Sequence, residues 1–373
     1  MTRPISVAWR QVHAFRLRRH HLDRRAPRTK LVDVVGDVCG IQSQVISAAQ
    51  LALWTRVANL TPQDVERALW RDRTLVKAWS MRGAMHLLPA DDYPTYVAAL
   101  RWTAMRRELT WIGRYGLDPE EVRTITDAIY DVLGRDMLAR KELAGRVVEE
   151  VGNKARPWIE HGWGGVVKLA CLQGRVVFGP NRGREITFVR RDVWLPGSKD
   201  VPEDRVGAAL VRRYLRAYGP ATVQDFGAWS GLPVADAKPM WHRLAGKLVE
   251  LSIEGRTAWL LRDDVSELRR KPEGERIQLL PSFDCYLLGH RDKEHLVDDA
   301  HYKRVYRKAG WLSPVILRAG RVAGVWSHRR IGRGWRLAME MFERPTPALR
   351  QGIAEEAEDL GRFLGGPCDV VYA

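Results

Sequence analysis

A chain of 373 residues, 45% of them hydrophobic, is long enough for roughly two to four domains whose cores need no disulfide or metal staple. Lys and Arg number 61 against 45 Asp and Glu, a formal net charge of +16 spread along the whole chain. That excess favours a polyanion, nucleic acid first, although an Arg-rich genome leaves the same mark. A signal peptide and a membrane helix are not expected: residues 1–22 are basic without an apolar core, and no apolar run approaches about 18 residues.

Residues 11–22 (QVHAFRLRRHHL) read as a basic helix, and 24–30 as a basic loop. Residues 31–39 are apolar at helical spacing until Gly40 breaks the pattern, and 42–57 (QSQVISAAQLALWTRV) read as the next helix. Thr61 at the N-cap, Pro62 at the first helical position and Asp64 in the first turn start a short helix to Trp70. Residues 75–88 alternate like two strands around an Arg82-Gly83 turn. Three helices followed by a hairpin is the order of a winged helix, whose third helix normally enters the major groove.

Residues 93–115 read as a connecting helix. Helices follow through Leu133, over 139–151 and over 163–172, then a hairpin over 174–189 with its turn at Asn181-Arg182-Gly183. Beyond a charged linker at 199–205, a helix is expected over 206–218, a capped start at Thr222 and Asp225, a helix over 233–245, and a hairpin over 248–261. The stretches GRVVFGPNRGREITFV and GKLVELSIEGRTAWLL align, so the cycle reads as a repeat.

The remainder differs. Residues 277–288 (IQLLPSFDCYLL), 311–317, 322–326 and 335–342 read as strands, 289–293 and 328–334 as charged loops, and 346–364 as a closing helix. The fold class expected is α+β: three tandem winged-helix units over 1–115, 116–198 and 199–270, then a β-rich region over 271–373. Cys39, Cys171, Cys285 and Cys368 are too far apart for a Cys-x-x-Cys or zinc pattern and read as reduced thiols; no metal or other cofactor is expected.

The segments IQSQ at 41–44, WSMRGAMHLLPADDY at 79–93 and LPSFDCYLLGHRD at 280–292, in this order, resemble the tandem winged-helix DNA glycosylases of the AlkZ and YcaQ family over nearly the full length. The resemblance implies a C-shaped molecule around duplex DNA that hydrolyses the N-glycosidic bond of N7-alkylated guanine. It implies, for some members, unhooking of interstrand crosslinks or removal of bulky natural-product adducts, hence repair or self-resistance. It carries Gln-x-Gln to the active centre, here Gln42 and Gln44. Ser43 is polar where the intervening position is often small or apolar.

Neither amide ionises, but each can orient a water through one acceptor and two donors. N7 alkylation makes the base a good leaving group, so water placement at the sugar can suffice. On an ideal helix, residues two apart point about 200° from one another. The two glutamines can therefore converge only if the segment is kinked or lies at a helix end. Without the resemblance they would read as a polar helix start. With no lysine in the segment to form a Schiff base, a monofunctional enzyme is expected.

Candidate DNA contacts are Arg82, His86, Arg291, Arg318, Arg321, Arg329, Arg330 and Arg333, with 318–321 and 328–333 as probes of the minor groove. Trp79, Asp284 and Tyr286 are candidates for touching the lesion, against an ordinary reading as core aromatics and a capping aspartate. The expected partner is duplex DNA containing alkylated guanine, and the protein is expected to be a cytoplasmic monomer, nucleoid-associated when bound. The competing reading is a non-enzymatic DNA-binding protein, such as a regulator or a lesion-binding resistance protein; a scaffold held to nucleic acid by charge is a third. All three lose affinity with salt.

Overall fold

The computed structural model describes residues 4–162, 164–271 and 276–372. Trp163, expected to begin a helix, lies outside them. The fold is α+β and divides into two compact units.

The first unit comprises Met1–Val65, Val211–Trp229 and Pro233–Ala373. Its largest sheet has five strands in chain order: Ile277–Leu280, Val315–Arg318, Arg321–Ile331, Gly334–Met341 and Cys368–Tyr372. The first four are antiparallel and the last is parallel to its neighbour. The crossover that parallel pairing requires is the helix Pro347–Leu364. Thr346 caps it by accepting from the Leu349 amide, and Gly365 ends it at φ 72°. A second sheet joins Ile5–Val7, in parallel, to the hairpin Leu248–Ile253 and Arg256–Leu261. Val7, Val12, Phe15, Leu251 and Leu260 fill the space beneath it.

Several assignments change here. Residues 328–331 belong to a strand rather than a loop, because the Gly332-Arg333 turn needs only two residues and the pairing continues to Ile331 opposite Gly334. The apolar run after Leu280 is not strand. Phe283 takes φ 61°, Asp284 accepts from the Tyr286 amide, and Cys285–Leu288 turns into a short helix. The helix expected from Gln42 starts only at Ile46.

The second unit comprises Glu66–Leu210 and Ser230–Leu232. Its long helix Tyr93–Arg114 leads to Pro119–Leu133, whose Asp118 and Glu121 form a reciprocal capping box. Helices Arg140–Val151 and Gly165–Leu172 precede the hairpin Val176–Arg182 and Glu185–Arg190, and Leu138–Ala139 pairs with its return strand. Ile129, Leu143, Val166, Phe178 and Phe188 share its apolar core.

Candidate active site and nucleic-acid interface

The helix Leu31–Asp37 closes when the Gly40 amide donates to the Val35 carbonyl at 2.8 Å. Cys39 at φ 60° and Gly40 at φ 93° then turn the chain into a short strand, Ile41–Gln42, which gives way at Ser43 to a bend over Gln44 and Val45. Both residues lie in the left-handed region, and at Gly40 the missing Cβ removes the penalty. In an extended chain the side-chain period is two. Ile41 and Ser43 are accordingly buried, while Gln42 is half-buried and Gln44 exposed. The strand ends at Gln42 and Gln44 lies in the bend that follows, so both amides sit outside helix just ahead of Ile46. The conflict posed by a helical period disappears because the segment is not helical.

The helix Ile46–Trp54 begins two residues after Gln44, with no side chain capping its N-terminus. Its first-turn amides and the positive end of its dipole therefore lie beside Gln44 and favour an electron-rich partner there. Val45 and Ile46, 37% and 40% exposed, put apolar surface next to Gln44. Sequence reasoning missed these two, because a helix from Gln42 made them core candidates; the β-branched pair beside a Gly break was the available signal.

The far end of this helix is locked. Arg56 and Asp284 are both fully buried and form a bidentate pair at 2.7 and 2.8 Å. Arg56 also donates to the Ala52 carbonyl and to Thr55 Oγ1. Burial alone opposes the guanidinium charge, but the Asp284 carboxylate outweighs it and raises the Arg56 pKa. On the same helix Trp54 donates to Asp359, and the Arg25 guanidinium lies 4.6 Å above its ring.

The candidate lesion contacts are corrected by this geometry. Asp284 has no face open to a ligand, since its oxygens are committed to Arg56 and the Tyr286 amide. Tyr286 is buried with its hydroxyl donating to the Gly320 carbonyl, and Trp79 packs on Phe178 in the core of the second unit. His86 is also interior and not a DNA contact. Burial, helped by the Arg82 cation, holds its pKa near 3, and its Nδ1 bonds the Ala84 carbonyl. For all four it is the ordinary reading, as core aromatics, a core histidine and a capping aspartate, that the burial supports; sequence alone does not separate the two, because aromatic and polar residues in apolar stretches look alike whether they face a cleft or a core.

The arginines divide. Arg82 is half-buried at φ 56° in a tight turn. Arg291 is exposed, its backbone amide donating to Asp225. Arg318 is exposed at the end of its strand, but the turn it enters is tied down. Arg321 pairs with Asp298 and donates to the Glu294 and His295 carbonyls. A Cβ on Gly320 would lie 2.6 Å from the His13 Cβ. A Cβ on Gly332 would meet nothing within 4 Å, and Arg329, Arg330, Ile331 and Arg333 around it are all exposed, although the return side of the turn lies against the Gly366–Pro367 backbone. Among the described residues, Arg329, Arg330 and Arg333 make no ion pair with a carboxylate. Of the two candidate probes, the second has the more exposed turn.

Comparison with known proteins bears on what such an arrangement is for. A family model described as DNA glycosylase AlkZ-like matches residues 35–363. An interstrand DNA cross-link repair glycosylase of Streptomyces sahachiroi is 36% identical over 339 residues, which is 86% of this chain and 88% of that protein. The solved structure of the Streptomyces sahachiroi DNA glycosylase AlkZ matches with a TM-score of 0.84 at 31% identity, covering 98% of this chain and 100% of that one.

Proposed function

The chain belongs to the AlkZ-like DNA glycosylases, and from that premise we propose that it hydrolyses the N-glycosidic bond of N7-alkylated guanine in duplex DNA, with Gln42 and Gln44 as its catalytic pair. The observation that carries this reading is that both glutamines lie outside helix, Gln42 half-buried and Gln44 exposed, just ahead of the N-terminus of the helix Ile46–Trp54.

The cationic alkylated base leaves readily, so the enzyme needs to place a water rather than supply a strong acid. Two neutral amides can hold that water at the sugar carbon and orient its lone pair. The dipole and first-turn amides of the following helix add attraction for the neighbouring phosphate. Water attacks, the glycosidic bond breaks, and the base leaves with its electron pair. The segment offers no amine nucleophile, so the product keeps an intact abasic strand. The exposed hairpin, with Arg329, Arg330 and Arg333 around Ile331, suits the minor groove: cations for phosphates and an apolar tip between them.

We read the repeated order of helices and hairpin as tandem winged helices over 1–115, 116–198 and 199–270. The strand Leu138–Ala139 joining the hairpin of residues 176–190 supports this for the middle repeat. Extension of the activity to interstrand crosslinks follows the Streptomyces relative, and one copy carrying both glutamines is sufficient for catalysis.

The test is base release from an oligonucleotide carrying one N7-methylguanine, read as alkali-labile sites. Wild type should release the base, and Gln42→Ala or Gln44→Ala should lower the rate at least about tenfold, roughly 1.4 kcal/mol in barrier. No release from this or a bulkier N7 adduct, with tight DNA binding intact, would sink the proposal in favour of a lesion-binding protein.

A further inference from the structure

Residues 299–312 (DAHYKRVYRKAGWL) carry four cations against one acid before Trp311, and the proposed chemistry uses none of them. The helix Asp299–Val305 runs into a small hairpin closed by an antiparallel bridge between Tyr306 and Leu312. The Arg307 amide donates to the Trp311 carbonyl at 2.8 Å, so these two residues sit directly opposite one another. Opposed residues project on the same face, and the pair before them on the other. Leu312 is accordingly buried and Tyr306 half-buried, its hydroxyl donating to the Leu287 carbonyl. Arg307 and Trp311 stand together on the outer face, both exposed.

Lys308 lies in the turn between them, and Lys303 and Tyr302 are exposed on the adjoining helix. Among the described residues, Lys303, Arg307 and Lys308 form no ion pair with a carboxylate, whereas neighbouring Arg304 is held by Glu340. Trp311 keeps 51% of its surface exposed although Phe283 supports it edge-on, ring centroids 5.0 Å apart. Phe283 belongs to the 280–292 motif and is buried at φ 61°. A large indole propped in the open among uncompensated cations is costly as plain surface. It suits a strand that offers phosphates and a base face together.

We propose that this lobe is a second DNA-contacting surface that grips a locally unpaired strand, Lys303, Arg307 and Lys308 taking phosphates and Trp311 stacking on one exposed base. The inference rests on the chain acting on DNA, and its test separates the two. Binding is measured by fluorescence anisotropy across a salt series, on a fully paired duplex and on the same duplex with a short internal bubble. On the bubble, Arg307→Ala/Lys308→Ala should flatten the slope of log K against log salt by about 1.4, near 0.7 for each phosphate of an unpaired strand lost. Trp311→Ala should leave the slope unchanged, weaken bubble binding roughly tenfold, and change the paired duplex by less than about twofold. Wild-type slope and affinity in both variants would overturn the proposal and leave an acidic protein as the occupant. Equal losses on both DNAs in Trp311→Ala would overturn the stacking role and with it the proposal. A wild type that binds neither DNA overturns this inference together with the functional reading beneath it.

Discussion

The stretches 40–47 and 280–290 both carry the resemblance to DNA glycosylases, and the fold uses them in opposite ways. In the first, the chain leaves Gln42 half-buried and Gln44 exposed, followed by exposed Val45, Ile46 and Ser47. In the second, Asp284, Cys285, Tyr286 and His290 are all buried, and Asp284 reaches back to Arg56 just beyond the helix that starts at Ile46. One motif carries the proposed catalytic pair at the surface, and the other is buried and tied to Arg56 just beyond the helix that follows that pair. A polar residue in a recognisable motif therefore says little about whether it meets substrate. Burial and hydrogen-bond satisfaction decide that.

The sharpest way to break the contrast is Asp284→Ala. It leaves the Arg56 guanidinium buried without its carboxylate, which should cost about 3–5 kcal/mol. Urea unfolding should show the midpoint falling at unchanged slope. Replacing both partners, Arg56→Met with Asp284→Leu, should recover most of that loss, because the uncompensated charge is gone. A single variant as stable as wild type would mean that the lock is not a lock.

How much of this was legible beforehand follows from the same contrast. The helices and hairpins with strong periodicity were readable, because amphipathic spacing and caps such as Thr222 with Asp225 act locally. The Gln-x-Gln segment was assigned to helix because QSQVISAAQLALW is rich in helix formers. The two left-handed residues at 39 and 40 overrode that propensity. Asp284 and Arg56 are 228 positions apart, so no local pattern could pair them. The helix Asp299–Val305 and the final strand Cys368–Tyr372 went unread, since short elements carry too few residues to show a period.

A smaller effect probes the third motif, 79–93, where His86 is buried and neutral. Its folded pKa near 3 lies below the unfolded value of about 6.5. Between those values the unfolded chain binds the extra proton, so stability falls as pH drops from about 6.5 toward 3. One histidine contributes a slope of up to about 1.4 kcal/mol per pH unit there. His86→Leu should flatten the measured dependence of unfolding free energy between pH 6 and 4 by roughly that amount. An unchanged slope would place His86 in contact with solvent after all.

The hairpin tip belongs with the exposed class and should respond accordingly. Ile331 is 42% exposed, and a Cβ on Gly332 beyond it would meet nothing within 4 Å. Arg330→Ala should alter stability by no more than about 0.5 kcal/mol. It should also lower the salt slope of DNA binding by about 0.9, as one phosphate contact is lost. A stability loss with an unchanged slope would mean the tip is packed rather than probing.

The smallest effect has the opposite sign and lies within the proposed catalytic segment. Ser43 sits between the two glutamines with 0% exposure, and its hydroxyl has no hydrogen-bond partner among the described residues. Alternation forces this: to face Gln42 and Gln44 outward, position 43 must point into the core with Ile41. A small apolar side chain is what such a position favours, and a hydroxyl there is left unsatisfied. Ser43→Ala should therefore raise unfolding free energy by about 0.5–1 kcal/mol, with base release unchanged within about twofold. Gln44→Ala, one residue away, should leave stability within about 0.5 kcal/mol and lose activity. If Ser43→Ala instead lost activity, its hydroxyl would have to reach the site, and the placement of position 43 in the core would be wrong.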